Sequence, residues 1–230
     1  MKKLYVIGLL LFSLQSCGES APKEEGKVEV KQDQVIEKVS VSELSSLEKR
    51  KLPSTAIPKG TLVYAGAWDD AEGKHIITLS FISSTREDRE YEFTYESTHL
   101  YAHHYLLDTL TNAYKETWKI KEFVNDCEFD LTAEFINNAI QISDENDNGI
   151  AEVWTMYKTA CRSDVSPCAL KLIMYEGAQK HAMRGSMRID AFDEPMGGEY
   201  KFDEAFKAAN PAVKEFAKKM WMENRDESLE

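Results

Sequence analysis

At 230 residues, with 40 acidic against 28 basic side chains, the chain carries a formal charge of −12. That balance argues against nucleic acid and an anionic bilayer surface as electrostatic partners, because both would repel it. Cations, neutral glycans and basic proteins remain.

Met1-Lys2-Lys3 opens the chain on positive charge, and Leu4 through Leu14 supply an uncharged run of about eleven residues, the length of a signal-peptide core. A bilayer span needs about 20 residues. The run ends in Leu14-Gln15-Ser16-Cys17. This resembles the lipobox of bacterial lipoproteins, in which the cysteine is acylated and becomes the new N-terminus, although Gln15 stands where a small residue is commoner. The resemblance implies a lipoprotein signal peptide over residues 1–16 and a palmitate-bearing anchor on Cys17 that holds the protein to a membrane. Several acyl chains anchor far more firmly than one, since each buried methylene contributes about 0.8 kcal/mol. Removing the signal takes Lys2 and Lys3 with it, so the formal charge moves from −12 to −14. No later run is as apolar, and the remainder is expected to be soluble on the far side of the inner membrane.

From Gly18 to Ile57 the chain is rich in Glu, Lys, Ser, Gln and Val and has no aromatic residue. Such a composition buries too little surface to offset its ordering entropy. Residues 17–57 therefore read as a lipidated cysteine and flexible linker, with a root-mean-square span of about 35 Å. Within it, Ser45-Ser46-Leu47-Glu48 fits a capping box for a short helix over Ser42–Lys51.

All four tryptophans lie beyond Pro58, which places one β-rich globular domain at residues 58–230. Strand-like segments pair around turn signals: Thr61–Ala67 with His75–Ile82, His99–Leu107 with Tyr114–Val124, Ala139–Ser143 with Ile150–Thr159, and Leu170–Tyr175 with His181–Ile189. Turns at Gly73, Asn112 and Gly149 recur about every 37 to 39 residues, a propeller-like spacing. Eight strands are too few to close a propeller of four-stranded blades. The expected fold is mainly β: an antiparallel meander forming a sandwich, open barrel or partial propeller-like sheet. Asn210-Pro211 starts a C-terminal amphipathic helix that places Val213, Phe216, Ala217, Met220 and Trp221 on one face.

The sharpest local signal is Asp144-Glu145-Asn146-Asp147-Asn148-Gly149-Ile150-Ala151-Glu152. Oxygens from Asp144, Asn146, Asn148, the Ile150 carbonyl and Glu152 could surround Ca²⁺, which takes 6 to 8 oxygen ligands. An EF-hand needs its acid three residues further on, where Thr155 stands. The hairpin version resembles the calcium loops of integrin-type propeller repeats, with Asn148 in place of the usual aspartate. The other reading is a plain hairpin turn in which these side chains cap local amides. Both stay open at this point.

Beyond Cys17, three cysteines remain, so one disulfide and one free thiol are expected. Cys127 with Cys161 would close a loop of about 35 residues and is the expected bridge; the other pairing, Cys161 with Cys168, would staple a single turn. His99, His103 and His104 form the densest histidine cluster; on a strand His99, Tyr101, His103 and Tyr105 share one face. Two imidazoles there suit zinc only if a third ligand joins them. Trp68, Trp118 and Trp154 suit either sugar stacking or, at strand spacing, the core. The chain contains no G-x-S-x-G, P-loop, Rossmann or H-E-x-x-H motif.

Taken together, Trp118-Lys119-Ile120, Asp126-Cys127, Asn148 through Trp154, Asp164-Val165-Ser166-Pro167 and Met196 through Phe202 resemble a family of uncharacterised Bacteroidota lipoproteins labelled with surface polysaccharide biosynthesis. The resemblance covers most of the domain and implies an outer-membrane setting with Cys168 as the odd thiol; it brings no catalytic residues. The expected function is a non-enzymatic envelope lipoprotein that binds or helps assemble surface polysaccharide, with a surface glycan or another envelope protein as partner. The alternative is an envelope glycan hydrolase or transferase using carboxylates in a cleft.

Overall fold

The computed structural model describes residues 41–90, 92–136, 140–190 and 194–228. The expected signal peptide, the lipidation site expected at Cys17 and the expected tether up to residue 40 lie outside the described residues. Among the described residues, no helix is long and apolar enough to cross a membrane.

Two antiparallel sheets account for most of the chain. The first runs in order β1 (Ser45–Ser46), β2 (Thr61–Asp70), β3 (Gly73–Asp88), β4 (Phe93–Asp108) and β5 (Ala113–Cys127). Its tight turns sit where local chemistry demands them, as at Asn112, whose φ of 51° suits a short polar side chain. The chain continues through β6 (Asp130–Phe135), β7 (Gln141–Ser143), β8 (Glu152–Arg162), β9 (Ala169–Glu176), β10 (Gln179–Ser186), β11 (Arg188–Ile189), β12 (Met196–Gly197) and β13 (Tyr200–Phe202). The second sheet has the order β13-β10-β9-β8-β6, with β7 also on β8, while β11 and β12 pair separately. The four expected hairpins are present, and the result is an antiparallel two-sheet sandwich rather than propeller blades.

Alternation along the strands decides what each face buries. Ile77, Leu79, Leu100, Ala102 and Ile120 of the first sheet meet Val153, Tyr157, Ile173 and Ala182 of the second in one shared core. The opposite face of the second sheet, with Met156, Leu170, Leu172 and Met183, is covered by α1 (Glu204–Ala208) and α2 (Pro211–Asn224). Asn210 caps α2 through the Ala212 amide at 2.9 Å, and Val213, Ala217, Met220 and Trp221 are buried, as the helical pattern predicts. Burying each large side chain of this kind contributes about 1.5–3 kcal/mol.

The N-terminal side of the domain departs from expectation. Residues 41–57 are not all linker: Ser45 and Ser46 pair with Ala67 and Gly66, and Leu52 and Ala56 are buried against Ala65, Ile76 and Tyr105. The expected helix over Ser42–Lys51 is replaced by extended chain and a single 3-10 turn at Lys49–Lys51, because the Ser42 and Leu47 amides bond to Asp69 and Ala65 carbonyls of β2. Pairing with an open sheet edge outcompetes a marginal helix.

Cys127 and Cys161 form a disulfide that ties the end of β5 to β8, across the two sheets, and Cys168 is the buried free thiol. A second tie is polar. Asp70, at the end of β2, accepts the Ala151 amide at 3.0 Å from the start of the second sheet, and the Ala71 amide bonds to the Gly149 carbonyl. The other Asp70 oxygen lies 2.7 Å from His75 Nε2; His75 Nδ1 lies 3.0 Å from His104 Nε2, and His104 Nδ1 lies 2.5 Å from the Thr117 hydroxyl. Around this chain Trp68, His75, His104, Trp118 and Tyr175 stack with ring centroids 4.1 to 5.3 Å apart.

Burial, and then the neighbouring His75, hold the His104 imidazole down at about 3, with Asp70 opposing. Burial alone would raise the Asp70 carboxyl, but the hydrogen bonds from His75 and the Ala151 amide outweigh it and hold it at about 2. An unfolded chain takes up these protons near 6.5 and 3.8, earlier than the fold does on acidification. The stability from His104 is therefore complete above pH 6.5 and lost as pH falls towards 3, and that from Asp70 is lost between about 3.8 and 2. Thermal unfolding should show Tm falling steadily from pH 7 to pH 4, with a shallower slope in His104→Gln. A flat profile in the parent protein would contradict a neutral His104.

Candidate functional site

The outer face of the first sheet carries an aromatic-lined groove. β4 lays His99, Tyr101, His103 and Tyr105 along it, with successive ring centroids 6.3, 6.1 and 6.2 Å apart. Strand alternation puts His104 on the inward face, so the sequence cluster of three histidines is split. A register shift between His104 and Tyr105, opposite Trp118 and Glu116, leaves Thr117 unpaired in the ladder and lets it reach His104.

The row is held from both ends. His99 Nε2–H donates to Asn125 Oδ1 at 2.8 Å and its Nδ1 accepts the Tyr101 hydroxyl at 3.3 Å. His103 Nδ1–H donates to Glu116 at 2.6 Å. Register then brings Ser80 and Lys121 to either side of Tyr101, and Thr78 and Lys119 to either side of His103. Ile57, Pro58 and Lys59, just ahead of β2, also line the groove, which has a volume of about 380 Å³.

Beneath it Ser80 is 1 % exposed, and its hydroxyl, like that of neighbouring Thr78, is buried without a hydrogen-bond partner. A buried donor without a partner costs about 1–3 kcal/mol. Ile57 and Ile82 of the groove lining are exposed, and apolar exposure continues beyond the groove at Phe123, with Lys121 standing 5.6 Å from the Phe123 ring. The groove thus offers aromatic faces, an unmet hydroxyl and lysine ammonium groups within one concavity.

The other sequence candidates fall elsewhere. Trp68, Trp118 and Trp154 are core residues, all at most 7 % exposed. His99 and His103, alternate residues four apart on one strand, are not joined by a third ligand: among the described residues no three His, Cys, Asp or Glu side chains gather to hold a metal.

In the 144–152 loop, Asp144 accepts the Asn148 and Gly149 amides at 2.9 and 3.0 Å, and Asn148 Oδ1 accepts the Ile150 amide at 2.8 Å. Asn146 and Asn148 both donate from Nδ2 to Glu176 of β9, a residue the sequence pattern did not single out. Glu152 is fully buried. One of its oxygens accepts the Glu145 amide and the Ser143 hydroxyl, both at 2.8 Å, and the other has no partner. Burial, reinforced by Glu176 and Asp144, raises its carboxyl pKa.

Cys168 lies 3.1 Å from a Glu227 oxygen, and burial followed by that carboxylate pushes its thiol up to about 11, the opposite of what a nucleophilic cysteine needs. No family model, curated protein or solved structure matches the chain.

Proposed function

We propose that the protein is an envelope lipoprotein, tethered through Cys17, whose outer-face groove binds a surface glycan without transforming it. The observation that carries this reading is the buried, unpartnered Ser80 hydroxyl beneath Tyr101 and His103. Pyranose rings present apolar faces that stack on aromatic rings and hydroxyls that satisfy polar groups, and both needs meet in this groove. The lipobox-like Leu14 to Cys17 and the resemblance to envelope lipoproteins supply the setting, which is an outer membrane. In a Gram-negative host, Cys17→Ser should move the protein from the membrane pellet to the soluble fraction; retention in the pellet would sink the anchor.

Binding is tested by titrating purified bacterial envelope polysaccharides, neutral and acidic, into the protein. Tyr101→Ala should weaken binding tenfold or more, equivalent to about 1.4 kcal/mol. Ser80→Ala should weaken it several-fold while leaving Tm unchanged or higher, because the substitution removes an unmet donor from the free protein. Unchanged affinity in both variants would refute the groove.

A calcium ion at the 144–152 loop is a second part of the reading, favoured by the free oxygen of buried Glu152. The ion would lean on Asp144 and Glu152 and, because acidic side chains alone are too few there, on the oxygens of Asn146 and Asn148 and the Ile150 carbonyl. Its charge would also relieve the repulsion that Glu176 and Asp144 exert on Glu152. Millimolar Ca²⁺ should raise Tm over that in excess chelator, with a stabilisation of about 2.7 kcal/mol at a hundredfold excess over Kd. Glu152→Ala should abolish the difference; superimposable curves for the parent protein would reduce the loop to a turn.

A further inference from the structure

The inner face of the second sheet carries a row of cations. In the ladder, Lys171 of β9 lies directly opposite Arg184 of β10, and Arg184 lies directly opposite Lys201 of β13. All three share the face of Ile173 and Ala182, because the alternate residues Leu172, Met183, Tyr200 and Phe202 pack under the helices. Lys180, two residues before Ala182, adds a fourth cation on that face. Directly opposed like charges on neighbouring strands destabilise a sheet. Lys171 is compensated by an ion pair with Glu122. Lys180, Arg184 and Lys201 are exposed and make no ion pair among the described residues. Asp203, which stands near Lys180, already accepts the Phe206 amide as the cap of α1.

We infer that this row is a binding site for the carboxylate, sulfate or phosphate groups of an acidic polysaccharide. Holding cations directly opposite one another on neighbouring strands costs the sheet stability, and an anion bound across them removes that cost. The unpaired Lys180 and Arg184 stand four residues apart on β10, about 13 Å along the strand, which suits charges repeated along a polymer better than one small ion. None of the exposed large apolar side chains lies on β9, β10 or β13, so the row has nothing beside it to insert into a bilayer. The overall negative charge does not forbid this, because charges more than about 8 Å away are largely screened at physiological salt. The inference rests on the glycan reading and adds that the glycan is acidic and is held on a second face.

The test uses the mature chain from residue 17 with Cys17→Ser, which cannot be acylated, and three probes: dextran sulfate, uncharged dextran and phosphatidylglycerol vesicles. Dextran sulfate should bind with an affinity that falls as salt rises. Lys180→Gln, Arg184→Gln and Lys201→Gln combined should weaken it tenfold or more without lowering Tm, since mutually repelling charges are removed. No binding by the parent protein, equal binding by the triple variant, or tighter binding to vesicles than to dextran sulfate would each overturn the assignment. Tyr101→Ala separates the two readings. If it leaves all glycan binding intact while the triple variant loses dextran sulfate, the groove falls and the row stands; the converse pattern removes the row alone.

Discussion

The buried carboxylate of Asp70 is the contact on which the arrangement of the two sheets depends. It belongs to the first sheet, yet one oxygen holds the Ala151 amide of the second, while the other anchors the His75–His104–Thr117 chain. A buried carboxylate left without these donors would carry a desolvation penalty of several kcal/mol, so the two hairpin ends can meet in few ways. The disulfide between Cys127 and Cys161 ties a second point, and apolar packing fills the space between. Apolar burial is non-directional. The directional polar tie and the covalent one set which strands face each other, and with them the register of both outer surfaces.

That constraint reaches the candidate groove through one irregularity. The register shift opposite His104 frees Thr117 to complete the buried hydrogen-bond chain. His104 then points into the ring stack, and Tyr101, His103 and Tyr105 are left as an outer row. The N-terminal segment that lines the groove is itself docked by Leu52 and Ala56 against the outer face of β2 and β3. In the fold, then, the tether ends in the groove lining.

What could be read from the residues was local. Turn chemistry at Asn112 and Gly149, the Asn210-Pro211 helix start and the apolar face of α2 are all short-range signals, and the structure carries each of them. Of the two pairings weighed, Cys127–Cys161 is the one expected, and it is the one formed. The misses are long-range. Residues 41–57 have linker composition, and only the partner surface on β2 and β3 makes Leu52 and Ala56 core residues. His75 carries no motif of its own; its role comes from His104, 29 positions later, and from Asp70. Glu176 closes the 144–152 loop from another hairpin.

The opposed cations of β9, β10 and β13 illustrate the same limit from the energetic side. Lys171, Arg184 and Lys201 are scattered through the sequence and look like ordinary surface residues until cross-strand register places them side by side. Stability alone would favour a carboxylate at one of the three positions, as Glu122 supplies for Lys171. The same conflict appears at Ser80, where alanine would remove an unmet hydroxyl, and at Glu152, where one carboxylate oxygen is stranded in the interior. Each is a local choice that disagrees with the fold around it. Such disagreements concentrate where a second molecule completes the interactions. Ser80 lies under the outer face of the first sheet and the cations lie on the inner face of the second, so the two disagreements do not belong to one pocket.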